Sequence, residues 1–190
     1  MVSAPAIAAI DWLFETSLAE HCRDGELPPC QITIRHAVPP PAEARDRHVV
    51  ALNISSYQFR IAVLFDFATD RQSVAYLSRL SRCGEQALEG QALLDAYAEF
   101  VNMICGAVNR GLHGAFLHTG MSTPNVLDYS CLRYLAILRP AHVSLIEVVV
   151  SETVRFSLTL CICLAPETTL DFALERTAVA EVSSGELEFF

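Results

Sequence analysis

The strongest pattern in this chain is a central stretch with apolar residues at helical spacing. The helix is predicted to begin at Glu85 or Gln91 and to run to Leu112. Its apolar residues recur mainly at intervals of three, four and seven: Leu94, Val101, Ile104, Cys105, Val108 and Leu112. Such a stripe predicts an amphipathic helix with one face packed against a core. Gly111 and Gly114 stand at the end of the pattern and are expected to terminate the helix. Other segments of the chain must supply the apolar surface that covers it.

Short strands, two further long helices and a short terminal helix are predicted around this central helix. The helices are expected over Pro5–His21 and from Thr69 or Asp70 to about Arg82. Apolar alternation predicts strands at Gln31–Val38, His48–Ile54, Gln58–Phe67, Arg133–Leu138, Val143–Ser151 and Val154–Leu164. Ala115–Ser130 is expected to be irregular, and Thr168–Glu175 to form a short terminal helix.

The order of these elements predicts an α+β fold with helices packed on a largely antiparallel sheet. The second and third strands, and the last two, are separated by only a few residues, so each pair is expected to form a hairpin. We expect a single domain over residues 1–190, with a core of about 6–165 and a tail at 176–190.

Composition excludes several classes of protein. The 190 residues include 13 Arg, no Lys and 22 acidic residues, a net charge of −9, and the hydrophobic fraction of 52% predicts a folded chain. No basic stripe is available for nucleic acid or for an anionic membrane surface. No apolar run reaches the roughly 18 residues of a spanning helix. Together with the lack of a signal peptide, this favours a cytoplasmic protein with seven reduced, structural cysteines and no metal site of its own.

A second face of the central helix carries polar residues. Asp95, Glu99, Asn102 and Gly106 are spaced i, i+4, i+7 and i+11, which places them in a band of roughly 60°. With Ala98 beside them, they form a flat ridge against which a partner could pack. Glycine within a helix costs about 1 kcal/mol relative to alanine, so close approach of another surface would explain Gly106. An ordinary solvated helix face explains the same spacing.

These residues resemble the signature of the CheC/CheX/FliY family of chemotaxis phosphatases. Residues 95–106 read DAYAEFVNMICG, and Ser122-Thr-Pro124 follows. In that family an acidic or serine residue, a glutamate four later, an asparagine three after that and a proline about twenty residues downstream mark the active site. The resemblance covers roughly Ala6 to Leu164, and the order of predicted elements agrees with it.

The resemblance implies dephosphorylation of the aspartyl phosphate on a CheY-like response regulator. Asn102 would position the attacking water, because an uncharged amide can accept a hydrogen bond from water without repelling phosphoryl oxygens. Glu99 would pair with a lysine of the regulator, and Asp95, Ala98 and Gly106 would extend the docking surface. Pro124 would have a supporting role. The protein would need no cofactor of its own, since Mg²⁺ would lie in the acidic pocket of the regulator.

The amino-terminal helix carries an incomplete copy of the signature. Asp11 and Glu15 have the right spacing, but Leu18 stands where the amide belongs and cannot orient water. One active helix per chain resembles the CheX arrangement, which implies a homodimer formed through the sheets. Two alternatives stay open: a non-catalytic module of this fold that binds a regulator, and an unrelated α+β domain with a fortuitous helix face.

Overall fold

The computed structural model describes residues 1–23, 29–37, 46–81 and 88–175. The described helices are α1 (Ala4–His21), α2 (Arg71–Leu80), α3 (Gly90–Leu112) and a 3₁₀ helix (Tyr129–Leu138). The described strands are β1 (Gln31–Arg35), β2 (Arg47–Ser55), β3 (Phe59–Ala68), β4 (Gly120–Met121), β5 (Asn125–Asp128), β6 (His142–Val149) and β7 (Arg155–Leu164). The expected residue Val38 at the end of the first strand and the alternative helix start at Glu85 lie outside the described residues.

These strands form one antiparallel sheet in the order β1-β6-β7-β3-β2-β4, and β5 also pairs with β2. Its two long hairpins, β2 with β3 and β6 with β7, confirm the predicted pairings. The α+β fold class is also confirmed. The central strands β3 and β7 are buried along most of their length, because α1 and α3 contribute to the same core as one face of the sheet.

The apolar stripe of α3 faces the core as predicted. Val101, Ile104 and Val108 are fully buried, while Leu94 at the start of the stripe is half-buried. The helix also packs against α1 through a polar contact, in which Ser17 Oγ donates to the carbonyl oxygen of Ile104 at 3.1 Å. The position and rotation of α3 are therefore set by contacts with α1 and the sheet.

Gly111 lies where α3 packs against Leu13 of α1. The helix continues through it to Leu112, so the expectation that Gly111 terminates α3 was wrong. A Cβ atom at this position would overlap Cδ2 of Leu13 on α1. Any side chain at position 111 would require the buried Leu13 side chain to shift, which favours glycine here.

We expect Gly111→Ala to destabilise the protein by about 1 kcal/mol. Overpacking a filled core costs about 1–3 kcal/mol, more than the roughly 0.8–1 kcal/mol that alanine gains over glycine in a helix. Urea denaturation measures the change. In a Leu13→Ala background, which removes the overlapping atom, the same substitution should become stabilising. An equal loss in both backgrounds would contradict the helix-crossing explanation.

The predicted strand at Arg133–Leu138 is instead part of the 3₁₀ helix. Asp128 caps this helix by accepting a hydrogen bond from the backbone N–H of Ser130 at 2.8 Å. The helix covers an apolar cluster on the outer face of the sheet with residues three apart in sequence: Tyr129, Leu132, Leu135 and Leu138. Because a 3₁₀ helix has three residues per turn, these side chains share one face.

Two other expectations about the carboxy-terminal half were also wrong. The segment expected to be irregular contains β4 and β5, which both pair with β2. The predicted helix over Thr168–Glu175 is absent from those described residues. Leu170 forms an isolated bridge with Val2, and its backbone N–H donates to the carbonyl oxygen of Met1 at 2.9 Å. Extended pairing with the amino terminus thus replaces helical hydrogen bonds.

Within the described ranges, no helix combines the length and apolar character needed to cross a membrane.

Candidate functional site

The polar ridge predicted on α3 lies on the side of the helix that faces away from the core. Asp95 and Glu99 are exposed, whereas Ala98, Asn102 and Gly106 are half-buried. The core-facing residues of α3 occupy the other side of the same turns. The structure therefore brings all five predicted residues of α3 to one accessible surface.

The two candidate catalytic groups have no partner within the described part of the chain. Neither the Glu99 carboxylate nor the Asn102 amide makes a side-chain hydrogen bond or ion pair there. Asp95 differs, because its Oδ1 accepts a hydrogen bond from Gln91 Nε2 at 2.7 Å. A free carboxylate and a free amide less than one helical turn apart can both bind groups of another molecule.

Gly106 has room for a small side chain. A Cβ at this position would make only an ordinary contact, 3.6 Å from Nη1 of Arg110. The described structure thus gives no internal reason for a glycine here, in contrast to Gly111. Close approach of an external surface explains a residue that is otherwise unfavourable within a helix.

Pro124 lies in the short link between β4 and β5. Ser122 fixes this link to β2, because its backbone N–H donates to the carbonyl oxygen of Asn53 at 2.9 Å and its Oγ accepts from the N–H of Asn53 at 3.0 Å. Both β4 and β5 contact α3. The link that carries Pro124 is thus held beside α3, and the proline restricts the backbone of the link.

An apolar groove borders the acidic side of the ridge and was missed from the sequence. It encloses about 610 Å³ between α2 and α3. Asp95 and Glu99 are at its edge, and its apolar lining consists of Leu80, Leu88, Ala92, Ala96, Phe100 and Met103. Ala92, Ala96 and Met103 repeat at helical spacing beside the ridge, which is the signal that could have revealed it. Met103 is 41% exposed, so apolar and acidic groups form one continuous surface.

The incomplete signature on α1 has a different environment. Leu18 is fully buried and Asp11 is 8% exposed. The Asp11 carboxylate pairs with His36 across 2.8 Å, which ties α1 to the residue after β1. Glu15 alone is exposed. The acid at the start of this copy is therefore engaged within the protein and does not form a free polar face.

Among the described residues, no group of three or more His, Cys, Asp or Glu side chains is arranged to hold a metal ion. The six described cysteines are all free thiols. The seventh, Cys83, lies outside the described residues.

Comparison with known proteins identifies relatives of this fold. No family model and no curated protein matches the chain. The chemotaxis protein CheX from Vibrio vulnificus has a TM-score of 0.60 and 14% identity, over 81% of this chain and 99% of that one. A CheC-like superfamily protein from Shewanella sp. PV-4 has a TM-score of 0.62 and 12% identity, over 82% of this chain and 97% of that one.

A third similar structure is the CheX–CheY–BeF₃–Mg²⁺ complex from Borrelia burgdorferi. Its TM-score is 0.55 at 10% identity, over 82% of this chain and 96% of that one. At identities this low, the comparisons show similarity of fold alone. That similarity extends over nearly the full length of all three matched chains. The resemblance inferred from the signature on α3 is thus confirmed at the level of architecture: this chain has the CheC/CheX fold of chemotaxis proteins.

Proposed function

We propose that this protein dephosphorylates the aspartyl phosphate of a CheY-like response regulator. The observation that carries the proposal is that Glu99 and Asn102, on the accessible face of α3, have no side-chain partner among the described residues. The complex of a CheX of the same fold with CheY, BeF₃ and Mg²⁺ supports a regulator as the partner.

The proposed chemistry requires little more than positioning. An acyl phosphate already has a good leaving group, so catalysis consists mainly of placing a water in line with the phosphorus–oxygen bond. Asn102 accepts a hydrogen bond from that water through its amide oxygen and adds no negative charge near the phosphoryl group. Mg²⁺ belongs to the regulator, and the protein itself supplies no cofactor.

Glu99 serves as an anchor in this proposal. Its carboxylate pairs with an ammonium group at the regulator's active site, and a charge-assisted hydrogen bond fixes the orientation of α3. Asp95 adds negative charge at the same edge, and the apolar groove beside both acids buries a neighbouring part of the regulator. Asn102 is then directed toward the phosphoryl group.

The test is the lifetime of a phosphorylated regulator from the same genome. Each purified receiver domain is phosphorylated, and its dephosphorylation is followed with and without this protein in the presence of Mg²⁺. The proposal expects at least one regulator to lose its phosphoryl group faster in a concentration-dependent manner. Unchanged lifetimes for every regulator of that genome would reject the activity.

A second candidate function is regulator binding without hydrolysis. Asn102 is half-buried whereas Glu99 is exposed, so docking through the acids and the groove is possible even if the amide does not reach the phosphoryl group. Tight binding with an unchanged phosphoryl lifetime, and the same affinity after Asn102→Ala, would select this function. Calorimetry with a BeF₃-treated regulator measures that affinity.

Gly106→Ala should separate stability from partner binding. Since the added methyl group meets no crowded atom within the described chain, the substitution should stabilise the isolated protein by roughly 0.5–1 kcal/mol. The same methyl group should weaken regulator binding if α3 approaches the regulator closely. Thermal denaturation and calorimetry measure the two effects, and unchanged affinity would exclude Gly106 from the interface.

We also propose that two copies pair through their sheets in the cytoplasm. β1 ends the order of strands, and within the described residues no strand pairs with its outer edge. Such an edge can pair with a strand of another chain. Sedimentation equilibrium should give twice the chain mass of 20.9 kDa, and a monomer at micromolar concentration would contradict the dimer.

A further inference from the structure

Arg110 lies at the carboxyl end of the ridge on α3, beyond the residues predicted to form it. It follows Gly106 by four positions, which places it about 40° around the helix and about 6 Å further along the axis. Its side chain folds back toward the amino end of α3, because a Cβ atom on Gly106 would be 3.6 Å from Nη1 of Arg110. The guanidinium group is therefore beside Gly106, about one helical turn from Asn102.

The guanidinium group of Arg110 has no role within the described part of the chain. Arg110 is exposed, and its side chain makes no hydrogen bond or ion pair with the described residues. A basic side chain near the end of a helix often binds the last carbonyl oxygens. In α3 those four oxygens, of residues 109–112, already accept hydrogen bonds from backbone N–H groups of residues 113–116. The N–H groups of the guanidinium are thus left for another molecule.

Arg110 is the only basic residue of α3, and it gives the ridge a positive end. Asp95 and Glu99 form the negative end, and Asn102 lies between the two. Phosphorylation makes a regulator more negative, and both the two acids and the net charge of −9 repel added negative charge. Without a cation near Asn102, the ridge would favour the unphosphorylated regulator.

We propose that Arg110 binds the phosphoryl group of the regulator's aspartyl phosphate and thereby selects the phosphorylated form. A planar guanidinium group can donate two parallel hydrogen bonds to the oxygens of a phosphoryl group. Glu99 pairs with the regulator's ammonium group, Asn102 holds the water, and Arg110 offsets negative charge on the group under attack. This inference rests on the proposed function, because it assigns a third residue to the same site.

The experiment measures, by calorimetry, the affinity of the full chain for a regulator in Mg²⁺ with and without BeF₃. We expect the wild-type protein to prefer the BeF₃-treated regulator, and Arg110→Ala to reduce that preference by about ten-fold. Affinity for the untreated regulator should change little. Arg110→Lys should retain only part of the preference, because an ammonium group keeps the charge but not the paired donors. Thermal denaturation checks that both variants are folded.

Arg60→Ala is the matched control for Arg110→Ala. Arg60 is also exposed, but it lies on β3 two residues before Ala62, which belongs to the cluster on the outer face of the sheet. Because alternate residues of a strand share one face, Arg60 points away from α3. This variant removes the same charge and should keep the full preference for the BeF₃-treated regulator.

Two results would overturn the role of Arg110. One is an unchanged preference in Arg110→Ala. The other is an equal loss of affinity for the treated and untreated regulators, which would mean that Arg110 binds a carboxylate on the regulator surface. In both cases the proposed function stands if the wild-type protein still shortens the phosphoryl lifetime. If the wild-type protein neither binds nor dephosphorylates any regulator of its genome, the proposed function fails and this inference fails with it.

Discussion

Replacing Asn102 with alanine should remove most of the proposed phosphatase activity, with a loss of about a hundred-fold in the catalysed rate. Misplacing a reacting group by about 1 Å can cost that much, and alanine leaves the attacking water with no acceptor from this helix. Affinity for the regulator should change little, because the amide is half-buried and Glu99 remains in place. Single-turnover decay of the phosphorylated regulator at saturating protein separates rate from affinity.

Two further variants make this test specific. Asn102→Asp keeps the shape of the side chain but adds a negative charge beside the phosphoryl oxygens, so it should also be inactive. Asn109→Ala removes an amide from the same helix, about two turns from Asn102, and should keep the activity. Full activity in Asn102→Ala would place the chemistry elsewhere and leave only the shared fold.

Charge reversal at Glu99 should weaken regulator binding by at least about thirty-fold. Truncating one partner of a buried charge pair costs about 2–5 kcal/mol, and Glu99→Lys adds repulsion between two cations. The free protein should keep its stability, because Glu99 is exposed and unpartnered within the described chain. Titration of the variant with a BeF₃-treated regulator measures the loss.

The matched control for Glu99→Lys is Glu15→Lys on α1. Both residues are exposed glutamates four positions after an aspartate, and both substitutions change the net charge by the same amount. If the anchor is local, Glu15→Lys should leave affinity nearly unchanged. Equal weakening by both variants would show that overall charge, rather than a contact at Glu99, attracts the regulator.

The candidate site on α3 was accessible to sequence reasoning because a helix has a fixed period. Once Val101, Ile104 and Val108 are assigned to the core, the positions of Glu99 and Asn102 on another face follow from 100° per residue. The neighbouring groove was not predictable in the same way. It needs Leu80 from α2 as well as residues of α3, and sequence spacing does not state how two helices are placed relative to one another.

The wrong predictions for Arg133–Leu138 and Gly111 also arose because contacts between distant segments cannot be read from local sequence. A run such as Arg133–Leu138 is apolar enough for a strand, and its true structure depends on a cap at Asp128 and an apolar surface on the sheet beneath Leu135. Gly111 was interpreted as a helix end because glycine often occurs there. Its actual reason is contact with Leu13 on α1, nearly a hundred positions earlier in the chain.

By itself, the sequence determined the period and polarity of each long element: the core stripe of α3, the two hairpins and the ridge that carries Glu99 and Asn102. The tertiary structure decided which of those polar groups stay free, pairing Asp11 with His36 while leaving Glu99 and Asn102 without a described partner. Periodicity is a local property of the backbone, whereas the partner of a side chain depends on which distant segment packs beside it.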